Sequence, residues 1–267
     1  MYDEFKGRNA IVTGGGSGLG RAICKRLARE GVNIAVADIN LKGAEETVEQ
    51  LAEFGVKAIA VECDVTKEAA VEAMAKTASE AFGKIDFLVN NAGMSIEARQ
   101  QMYITQTPEE IWDKSMGVNL KSVFLCSKHV IPYMQKEQYG RIVNISSLAS
   151  YFTAFGASYA AAKAGVLQLT ASIALQYAND NIRCNCVCPG AMVTPTGINA
   201  NKIGTVYTNM PRMRMVERVA DPMEMANAVA FFLSDEACYI DGTYLKVDGG
   251  TIAMSARIPD SCYKPEE

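Results

Sequence analysis

The chain of 267 residues contains one histidine and one tryptophan, and it has no long run of uncharged apolar residues. With His129 alone, neither a hydrolase that depends on several histidines nor a histidine-rich metal site is expected, and His129 itself is expected to be structural. A membrane-spanning helix needs about 20 consecutive apolar residues, so none is predicted. The N-terminus, MYDEFK, carries acidic residues and no apolar core, which is not typical of a secretory signal peptide.

Positive charge is also in the minority, with 26 lysines and arginines against 30 acidic residues and a formal charge of −4. Nucleic-acid binding requires a basic surface, so no nucleic-acid partner is expected. The eight cysteines lack the C-x-x-C pairs that are typical of zinc sites, and no compact disulfide framework is predicted. We therefore expect a cytoplasmic protein with no metal ion and no membrane partner.

Three cysteines, Cys184, Cys186 and Cys188, alternate along one apolar segment and are expected on one face of a strand. They form either a metal or redox site or a row of small thiols packed beneath a helix. The packing role is favoured, because buried thiols behave as small apolar side chains.

Apolar segments of strand length alternate with helical patterns seven times, and no linker or internal repeat interrupts the series. This order predicts an α/β fold, a single doubly wound domain over 1–267 with about seven parallel strands and helices on both faces. The expected strands are 9–13, 32–37, 57–62, 86–90, 141–145, 181–188 and 243–247. The clearest helical patterns cover 41–54, 67–82, 107–134, 157–178 and 222–233.

A glycine-rich turn, GGGSGLG over 14–20, joins the first predicted strand to a helical pattern. Glycines allow the backbone to approach a pyrophosphate, and the N-terminus of the helix offers free N–H groups and the positive end of its dipole. A strand before the glycines and a helix after them is the context of a dinucleotide site.

Two acidic residues follow the next two predicted strands. Asp38 lies 18 residues beyond Gly20, close to the spacing at which a carboxylate binds the hydroxyls of an adenosine ribose. A carboxylate there repels a 2′-phosphate, which favours NAD(H) over NADP(H), and the same residue could cap the helix at 41–54. Asp64 follows the third strand and reaches an adenine ring or serves as a turn and cap residue.

Tyr159 and Lys163 are separated by three alanines on a predicted helix, which places both side chains on one face, one turn apart. A free phenol has a pKa of about 10, and a nearby ammonium is expected to lower it. Such a phenol can exchange a proton with an alcohol or ketone oxygen. Taken alone, the same spacing is more typical of a solvated helix face, and the other motifs of the chain are what favour a catalytic pair.

Two further residues join this candidate site. Ser146 ends an apolar strand and is expected at the carboxyl edge of the sheet, where open α/β sheets bind ligands. A helix predicted to start at Thr107 and Pro108 is interrupted by Gly117 and Asn119. An amide is unfavourable within a helix, so Asn119 is expected to mark a local kink.

Three segments lack a clear pattern. The stretch 94–106 is expected at the rim of the pocket, and 191–215, with four methionines, is predicted to form a substrate lid. Those methionines contact a flat apolar ligand or pack the lid against the domain. The C-terminal tail, 254–267, is either an oligomer contact or frayed.

Taken together and in order, these motifs resemble the classical short-chain dehydrogenase/reductases over about 5–250. They are Thr13-Gly-x-x-x-Gly-x-Gly20, Asn90-Asn-Ala-Gly93, Asn119, Ser146, Tyr159-x-x-x-Lys163 and Pro189-Gly190. The resemblance implies a Rossmann-type fold and hydride transfer between a nicotinamide and a carbinol carbon. It also implies a homo-oligomer, commonly a tetramer, built on the helices at 108–136 and 157–178.

The same resemblance implies a role for each catalytic residue. Tyr159 corresponds to the general acid/base, and Ser146 to the group that hydrogen-bonds the substrate oxygen. Lys163 matches the residue that binds the nicotinamide ribose and lowers the pKa of the phenol. Asn119 matches the residue at the helix kink that holds a proton-relay water.

The cofactor implied by the resemblance is NAD. Asn91, Met192 and Thr194 fall where the family contacts the nicotinamide ribose or carboxamide. The full set of expected cofactor contacts is Gly14, Ser17, Gly18, Leu19, Gly20, Asp38, Ile39, Asp64, Val65, Asn91, Tyr159, Lys163, Met192 and Thr194.

Within the family, the sequence is most similar to NAD-dependent bacterial hydroxysteroid dehydrogenases of the 3α/20β type. The similarity rests on Asp38, on the Val143–Ser147 segment and on Thr194-Pro195 before the lid. A bulky alicyclic ketone such as a steroid is the expected small-molecule substrate. The alternatives are a polyol or sugar dehydrogenase, a 3-oxoacyl reductase, and a non-catalytic nicotinamide-binding regulator.

Overall fold

The computed structural model describes residues 2–94, 103–151, 156–193 and 215–253. Seven strands form one parallel sheet in the order β3-β2-β1-β4-β5-β6-β7, so the predicted doubly wound architecture is confirmed. The strands are β1 (Asn9–Thr13), β2 (Asn33–Asp38), β3 (Ala58–Glu62), β4 (Phe87–Asn90), β5 (Gly140–Ile145), β6 (Ile182–Pro189) and β7 (Tyr244–Val247).

Helices cover both faces of this sheet. They are α1 (Gly18–Ala28), α2 (Leu41–Leu51), α3 (Glu68–Phe82), α4 (Glu109–Met116), α5 (Ser122–Glu137), α6 (Ala157–Tyr177) and α7 (Pro222–Leu233). Buried side chains of α1, α2 and α7 form one apolar cluster with the sheet, and those of α3, α5 and α6 form a second on the other face. Both faces of the central strands are therefore buried, as their continuous apolar runs predict.

The helix caps differ from two of the expected assignments. Asn40, rather than Asp38, caps α2, and its side-chain oxygen accepts a hydrogen bond from the Gly43 N–H at 3.4 Å. Pro108, rather than Thr107, occupies the cap position of α4, because the Thr107 hydroxyl donates to the carbonyl of Tyr103 instead. In both cases the side chain of the expected cap residue makes other hydrogen bonds, Asp38 with the Gly16 and Asn40 N–H groups and Thr107 with Tyr103.

The strand order reverses between β1 and β4, and this is the point at which open α/β sheets bind ligands. Val12 pairs with Val89, and Asn90 pairs with Asn144, so β1, β4 and β5 end at the same edge. The glycine turn, the segment after β4 and the serines after β5 are therefore brought to one edge of the sheet.

Buried hydrogen bonds between polar side chains connect this edge of the sheet to α6. The Asn90 amide donates to the Asn144 side-chain oxygen at 2.8 Å, and the Asn144 amide donates to the Thr170 hydroxyl at 2.9 Å. Asn144 and Thr170 are almost completely buried, so both bonds form where water cannot replace them. The helix that carries Tyr159 and Lys163 is thus fixed to the strand that precedes the serines.

The cysteine row lies on one buried face of β6, as expected. Cys186 and Cys188 pack against Val166 of α6, which confirms the packing role beneath a helix. Among the described residues, no group of three or more histidine, cysteine or acidic side chains could hold a metal ion. No helix in the described ranges is both long enough and apolar enough to cross a membrane.

Candidate active site

The glycine turn has the backbone shape that only glycine adopts without strain at two positions. Gly14 and Gly18 have φ values of +63° and +51°. A Cβ at Gly20 would lie 2.0 Å from the Gly14 carbonyl oxygen, so no larger residue fits there. The Asn91 amide donates to the carbonyls of Thr13 and Gly14 at 2.9 and 3.1 Å, which fixes the turn against the segment after β4.

The N-terminus of α1 is open to an anion. Ser17 occupies its cap position without a side-chain cap bond, and the first turn contains no acidic residue. The first N–H groups of the helix therefore have no side-chain acceptor in the cap, and they point with the helix dipole towards the edge of the sheet. Leu19 packs onto the core and anchors the turn. These features fit the pyrophosphate of a dinucleotide.

Asp38 lies beside the glycine turn. One carboxylate oxygen accepts from the Gly16 N–H and the other from the Asn40 N–H, both at 2.9 Å. A Cβ at Gly16 would lie 2.9 Å from this carboxylate, so only glycine allows the turn to approach Asp38 this closely. Ile39, the next residue, is 67% exposed at the same edge. The carboxylate thus stabilises the glycine turn directly, at the position where the sequence predicts a contact with a ribose.

Asp64 performs the turn role that was one of its two expected functions. Its carboxylate accepts from the N–H and the hydroxyl of Thr66 at 3.0 and 2.7 Å, and these bonds hold its pKa below the ordinary value. Val65 is almost buried. Ile39 and Asp64 also line a groove of about 730 Å³ that continues along α4 and α5 to Phe124.

Lys163 is 3% exposed and lies beneath the ring of Tyr159, with its ammonium nitrogen 5.9 Å from the ring centre. The ammonium donates to the Ile145 carbonyl at 2.9 Å. Burial lowers the pKa of Lys163 to about 8, although the nearby thiols of Cys186 and Cys188 oppose the change. The expected pairing of these side chains on one helix face is confirmed.

The pKa of the Tyr159 phenol differs from the expectation. Burial raises this pKa above its ordinary value, and a hydrogen bond with the Ser147 side chain lowers it in part. The sequence predicts that the Lys163 ammonium lowers the pKa of the phenol. In the structure this pKa is raised instead, because desolvation of the phenolate outweighs the other influences.

Ser146 does not have the contacts of a substrate-binding group. Its hydroxyl lies 2.8 Å from the Lys163 carbonyl oxygen and 2.7 Å from the Ser150 hydroxyl, and the residue is 3% exposed. These contacts occupy the hydroxyl of Ser146 in this structure, and its role in binding the substrate oxygen stays a prediction. Its side chain is directed towards the backbone of α6 and not towards the phenol.

Ser147 is the serine that meets the phenol, and it was missed in the sequence. It hydrogen-bonds with Tyr159, and its hydroxyl oxygen accepts from the Ala149 N–H at 3.1 Å. Strand alternation is the signal that could have found it: Ser146 shares the parity of Asn144, which faces α6, whereas Ser147 follows the end of β5.

Asn119 lies at the predicted kink, where a π-helical turn over Gly117–Lys121 separates α4 from α5. Its amide nitrogen donates to the carbonyls of Ser115 and Met94, and its oxygen accepts from the Met94 N–H, each at 3.0 Å. Asn119 therefore stabilises the kink and fixes the backbone that follows the Asn90–Gly93 segment.

The side chains of Asn119 and Lys163 both lie close to Gly93. A Cβ at Gly93 would lie 3.1 Å from the Asn119 side-chain oxygen and 3.2 Å from the Lys163 ammonium nitrogen. The structure therefore places Asn119, Lys163, Tyr159 and Ser147 around one point at the carboxyl edge of the sheet.

The remaining expected contacts are only partly described. Met192 is held by a parallel β-bridge to Ala220, at the start of the proposed lid. Thr194 lies outside the described residues, as do most of the 94–106 rim, most of the 191–215 lid and the whole of the 254–267 tail.

Comparison with known proteins identifies the family. A family model described as enoyl-(acyl carrier protein) reductase matches residues 14–251. A 3beta-hydroxysteroid dehydrogenase 1 of Eggerthella lenta is 39% identical over 94% of this chain and 95% of its own length. The chain belongs to the classical short-chain dehydrogenase/reductases.

Other members of this family act on several kinds of alcohol. A cis-4-hydroxycyclohexanecarboxylate dehydrogenase of Sinomonas cyclohexanicum is 38% identical over 95% of this chain and its full length. A glucose 1-dehydrogenase 2 of Bacillus subtilis is 35% identical over 94% of this chain and 96% of its own. The protein is therefore an oxidoreductase of alcohol and ketone groups.

Solved structures of short-chain dehydrogenase/reductases share the fold. Levodione reductase superposes with a TM-score of 0.87 at 34% identity, covering 93% of this chain and 99% of its own. Xylitol dehydrogenase with bound NAD⁺ superposes with a TM-score of 0.86 at 32% identity, covering 92% of this chain and all of its own. A nicotinamide cofactor is thus part of the chemistry of this fold family.

Proposed function

We propose that this protein is an NAD(H)-dependent dehydrogenase that interconverts a secondary alcohol and a ketone on a bulky alicyclic compound, with a hydroxysteroid as the leading candidate. The observation that carries the proposal is the phenol of Tyr159, which hydrogen-bonds with Ser147 above the buried ammonium of Lys163. Such a group has no use in a protein that only binds a nucleotide.

A nicotinamide held at this edge of the sheet would supply or accept the hydride. Tyr159 gives a proton to the ketone oxygen in reduction and takes it from the alcohol in oxidation. Ser147 donates a hydrogen bond to the same oxygen, so the charge that develops there meets two oriented donors. Lys163 provides a positive charge beneath the phenol and is held in place by the Ile145 carbonyl.

The protonation states fit ketone reduction near neutral pH. Burial raises the pKa of Tyr159, so the phenol keeps its proton and acts as the acid. Burial lowers the pKa of Lys163 to about 8, so its ammonium is charged below that pH. Alcohol oxidation requires the phenolate instead, and its rate is expected to rise with pH.

Asp38 supports NAD over NADP. Its carboxylate lies against the glycine turn, where it can accept hydrogen bonds from ribose hydroxyls but repels a 2′-phosphate. The open N-terminus of α1 and the glycines at 14, 18 and 20 would hold the pyrophosphate.

The names of the relatives support an alicyclic substrate. Two of the similar proteins are named for a hydroxysteroid and a hydroxycyclohexanecarboxylate, each with its hydroxyl on a saturated ring. A polyol or sugar is the second candidate, favoured by the glucose and xylitol dehydrogenases among the similar proteins.

We also propose that the protein is a homotetramer that associates through α5 and α6. Phe124 on α5 is 48% exposed, and Leu175 on α6 is 83% exposed. Large apolar side chains on neighbouring helices are typical of subunit contacts. These are the helices on which tetramers of the family are commonly built.

The test is a rate panel with purified protein, using NADH and NADPH in turn as the reductant. The ketones are a 3-ketosteroid, 4-oxocyclohexanecarboxylate, a ketose and a 3-oxoacyl thioester, with the Tyr159→Phe protein as the control. We expect the steroid or the cyclohexanone with NADH to give the highest kcat/KM. A ketose or the thioester in first place would reassign the substrate, and NADH binding without turnover of any ketone would indicate the non-catalytic regulator.

A further inference from the structure

Two consecutive residues at the end of β5 hold Lys163 by both its backbone and its side chain. The Ser146 hydroxyl lies 2.8 Å from the Lys163 carbonyl oxygen, and the Lys163 ammonium donates to the Ile145 carbonyl at 2.9 Å. Both hydrogen bonds are buried, so they are not replaced by water at little cost. This clamp joins the strand and the helix at the level of the active site.

The direction of these hydrogen bonds follows from the donors available. The Lys163 carbonyl can only accept, so the single O–H of Ser146 points towards it. In the 2.7 Å contact between Ser146 and Ser150, the Ser150 hydroxyl is then the donor. Ser146 has no second proton to donate to a substrate oxygen.

The clamp lies between the two groups that meet the substrate. Ser147 follows Ser146 directly, and Tyr159 is one helical turn before Lys163. A shift of α6 along β5 would therefore change both the distance from the Ser147 hydroxyl to the phenol and the place of the ammonium beneath the ring.

We propose that Ser146 is a positioning residue, which fixes Lys163 and thereby sets the geometry of Ser147 and Tyr159. The inference rests on the proposed dehydrogenase function for its effect on rate, but the effect on Lys163 is measurable without a substrate. The Asn144–Thr170 hydrogen bond also ties α6 to β5, so the Ser146→Ala protein is expected to fold.

The kinetic experiment compares the wild type with Ser146→Ala, Ser146→Thr, Ser147→Ala and Ser172→Ala, using NAD and a 3β-hydroxysteroid as substrates. Ser146→Ala is expected to lose kcat by about tenfold to 100-fold, the scale of a small misplacement of catalytic groups, while its Kd for NADH changes by less than about threefold. Ser146→Thr keeps the hydroxyl and should recover most of the rate. Ser172→Ala is the matched control, because Ser172 makes the same kind of bond to a carbonyl of α6, that of Gln168, on the exposed side.

The second experiment follows the Lys163 ammonium by NMR of lysine labelled at Cε, with Lys163→Met used for assignment. The neighbouring groups that titrate are the phenol of Tyr159 and the thiols of Cys186 and Cys188. Loosening the clamp exposes the ammonium, so Ser146→Ala should raise its pKa by at least about half a unit towards the ordinary lysine value. Ser147→Ala and Ser172→Ala should leave it unchanged.

Two results would overturn the proposal. One is a Ser146→Ala protein with the wild-type kcat and the wild-type pKa of Lys163. The other is a loss of rate as large as in Ser147→Ala with no change at Lys163, which would mean that Ser146 itself contacts the substrate. If the wild-type protein turns over no ketone or alcohol, the proposed function fails, yet the titration of Lys163 still decides the positioning role.

Discussion

Lys163 shows how a single residue can favour chemistry at the expense of stability. Its ammonium is removed from water and, among the residues that the structure describes, donates one hydrogen bond, to the Ile145 carbonyl. Burial lowers its pKa to about 8, which means that folding disfavours the charged form. Under the proposed function, this environment provides a positive charge beneath the phenol and lowers the stability of the fold.

Replacing Lys163 by methionine tests this view. The folded pKa of about 8 lies below the ordinary 10.5, so unfolding takes up a proton between those pH values. Raising the pH through this window therefore stabilises the wild-type protein relative to Lys163→Met. At pH 7 the variant is expected to be more stable by up to ~3 kcal/mol, and inactive.

Urea denaturation of both proteins at several values between pH 7 and pH 10 measures the difference. Its largest value should occur below pH 8, and it should shrink above that. A variant that is less stable than the wild type at pH 7 would contradict the account of Lys163.

Asp38 carries the prediction on cofactor choice. Removing the carboxylate in Asp38→Ala removes the repulsion of a 2′-phosphate and the acceptor for the Gly16 N–H. We therefore expect the kcat/KM for NADH to fall by about tenfold or more, and the preference for NADH over NADPH to disappear. Asp64→Asn is the matched control, since Asp64 bonds to Thr66 in its own turn, and it should keep the preference. An unchanged preference in Asp38→Ala would exclude Asp38 as the determinant.

At the level of residues, the sequence predicts which residue types form the site better than it predicts which contacts each side chain makes. Tyr159 and Lys163 were placed correctly because the helical period fixes their relative direction. For the serines, the alternation along β5 gives Ser146 the parity of Asn144, which faces α6, whereas the contact of Ser147 with the phenol depends on the turn that follows the strand. The pKa of Tyr159 depends on how much of the phenol is buried, and that depends on the packing of the whole site.

Among the secondary-structure elements, the helix before β5 is interrupted at Asn119, whose side chain bonds to the backbone of two segments. Asn119 uses its side chain on the carbonyl of Ser115 and on both polar groups of the Met94 backbone. The π-helical turn over Gly117–Lys121 brings this amide to the edge of the sheet. The kink therefore allows Asn119 to fix the backbone at Met94, where the predicted pocket rim begins.

The variant Asn119→Ala removes these three hydrogen bonds. We expect a loss of stability of about 1–3 kcal/mol in urea denaturation, because the Met94 backbone loses its partners, and a lower kcat. Ser122→Ala is the control within the same segment, since its hydroxyl bonds only to the Val118 carbonyl among the described contacts. Equal stability and kcat in the two variants would show that the amide has no special role.

Strands and helices were predictable where a period or an apolar run dominates. All seven strands and the long helices lie within a few residues of their expected positions. The caps of α2 and α4 were not, because Asn40 and Pro108 compete with nearby residues for the same position. The side chains of Asp38 and Thr107 make other hydrogen bonds in the folded turns, and the local sequence does not predict those contacts.

For the molecule as a whole, the exposed apolar residues on α5 and α6 carry the prediction on assembly. A tetramer has four times the 28.8 kDa mass of one chain, which analytical ultracentrifugation measures directly. Leu175→Glu places a charge in the proposed contact and should shift the protein to smaller species. Lys76→Glu changes an exposed charge on α3 and should leave the mass unchanged. A wild-type protein that sediments as a monomer would rule out the tetramer.

The arrangement of the sheet also explains why the site lies where it does. The reversal of strand order between β1 and β4 opens one edge, and the segments after β1, β4 and β5 all reach it. This was predictable from the alternation of strands and helices, whereas the substrate was not, since the rim and the lid that shape its cavity follow no regular pattern.

The most direct measurement of the central claim is the turnover of Tyr159→Phe beside its affinity for NADH. Phenylalanine keeps the ring over Lys163 and removes only the hydroxyl that we propose exchanges the proton. We expect the Kd for NADH, from fluorescence titration, to stay within about threefold of wild type, and kcat for ketone reduction to fall by about 10²–10⁴-fold. Turnover within about tenfold of wild type, with NADH bound normally, would show that Tyr159 is not the acid.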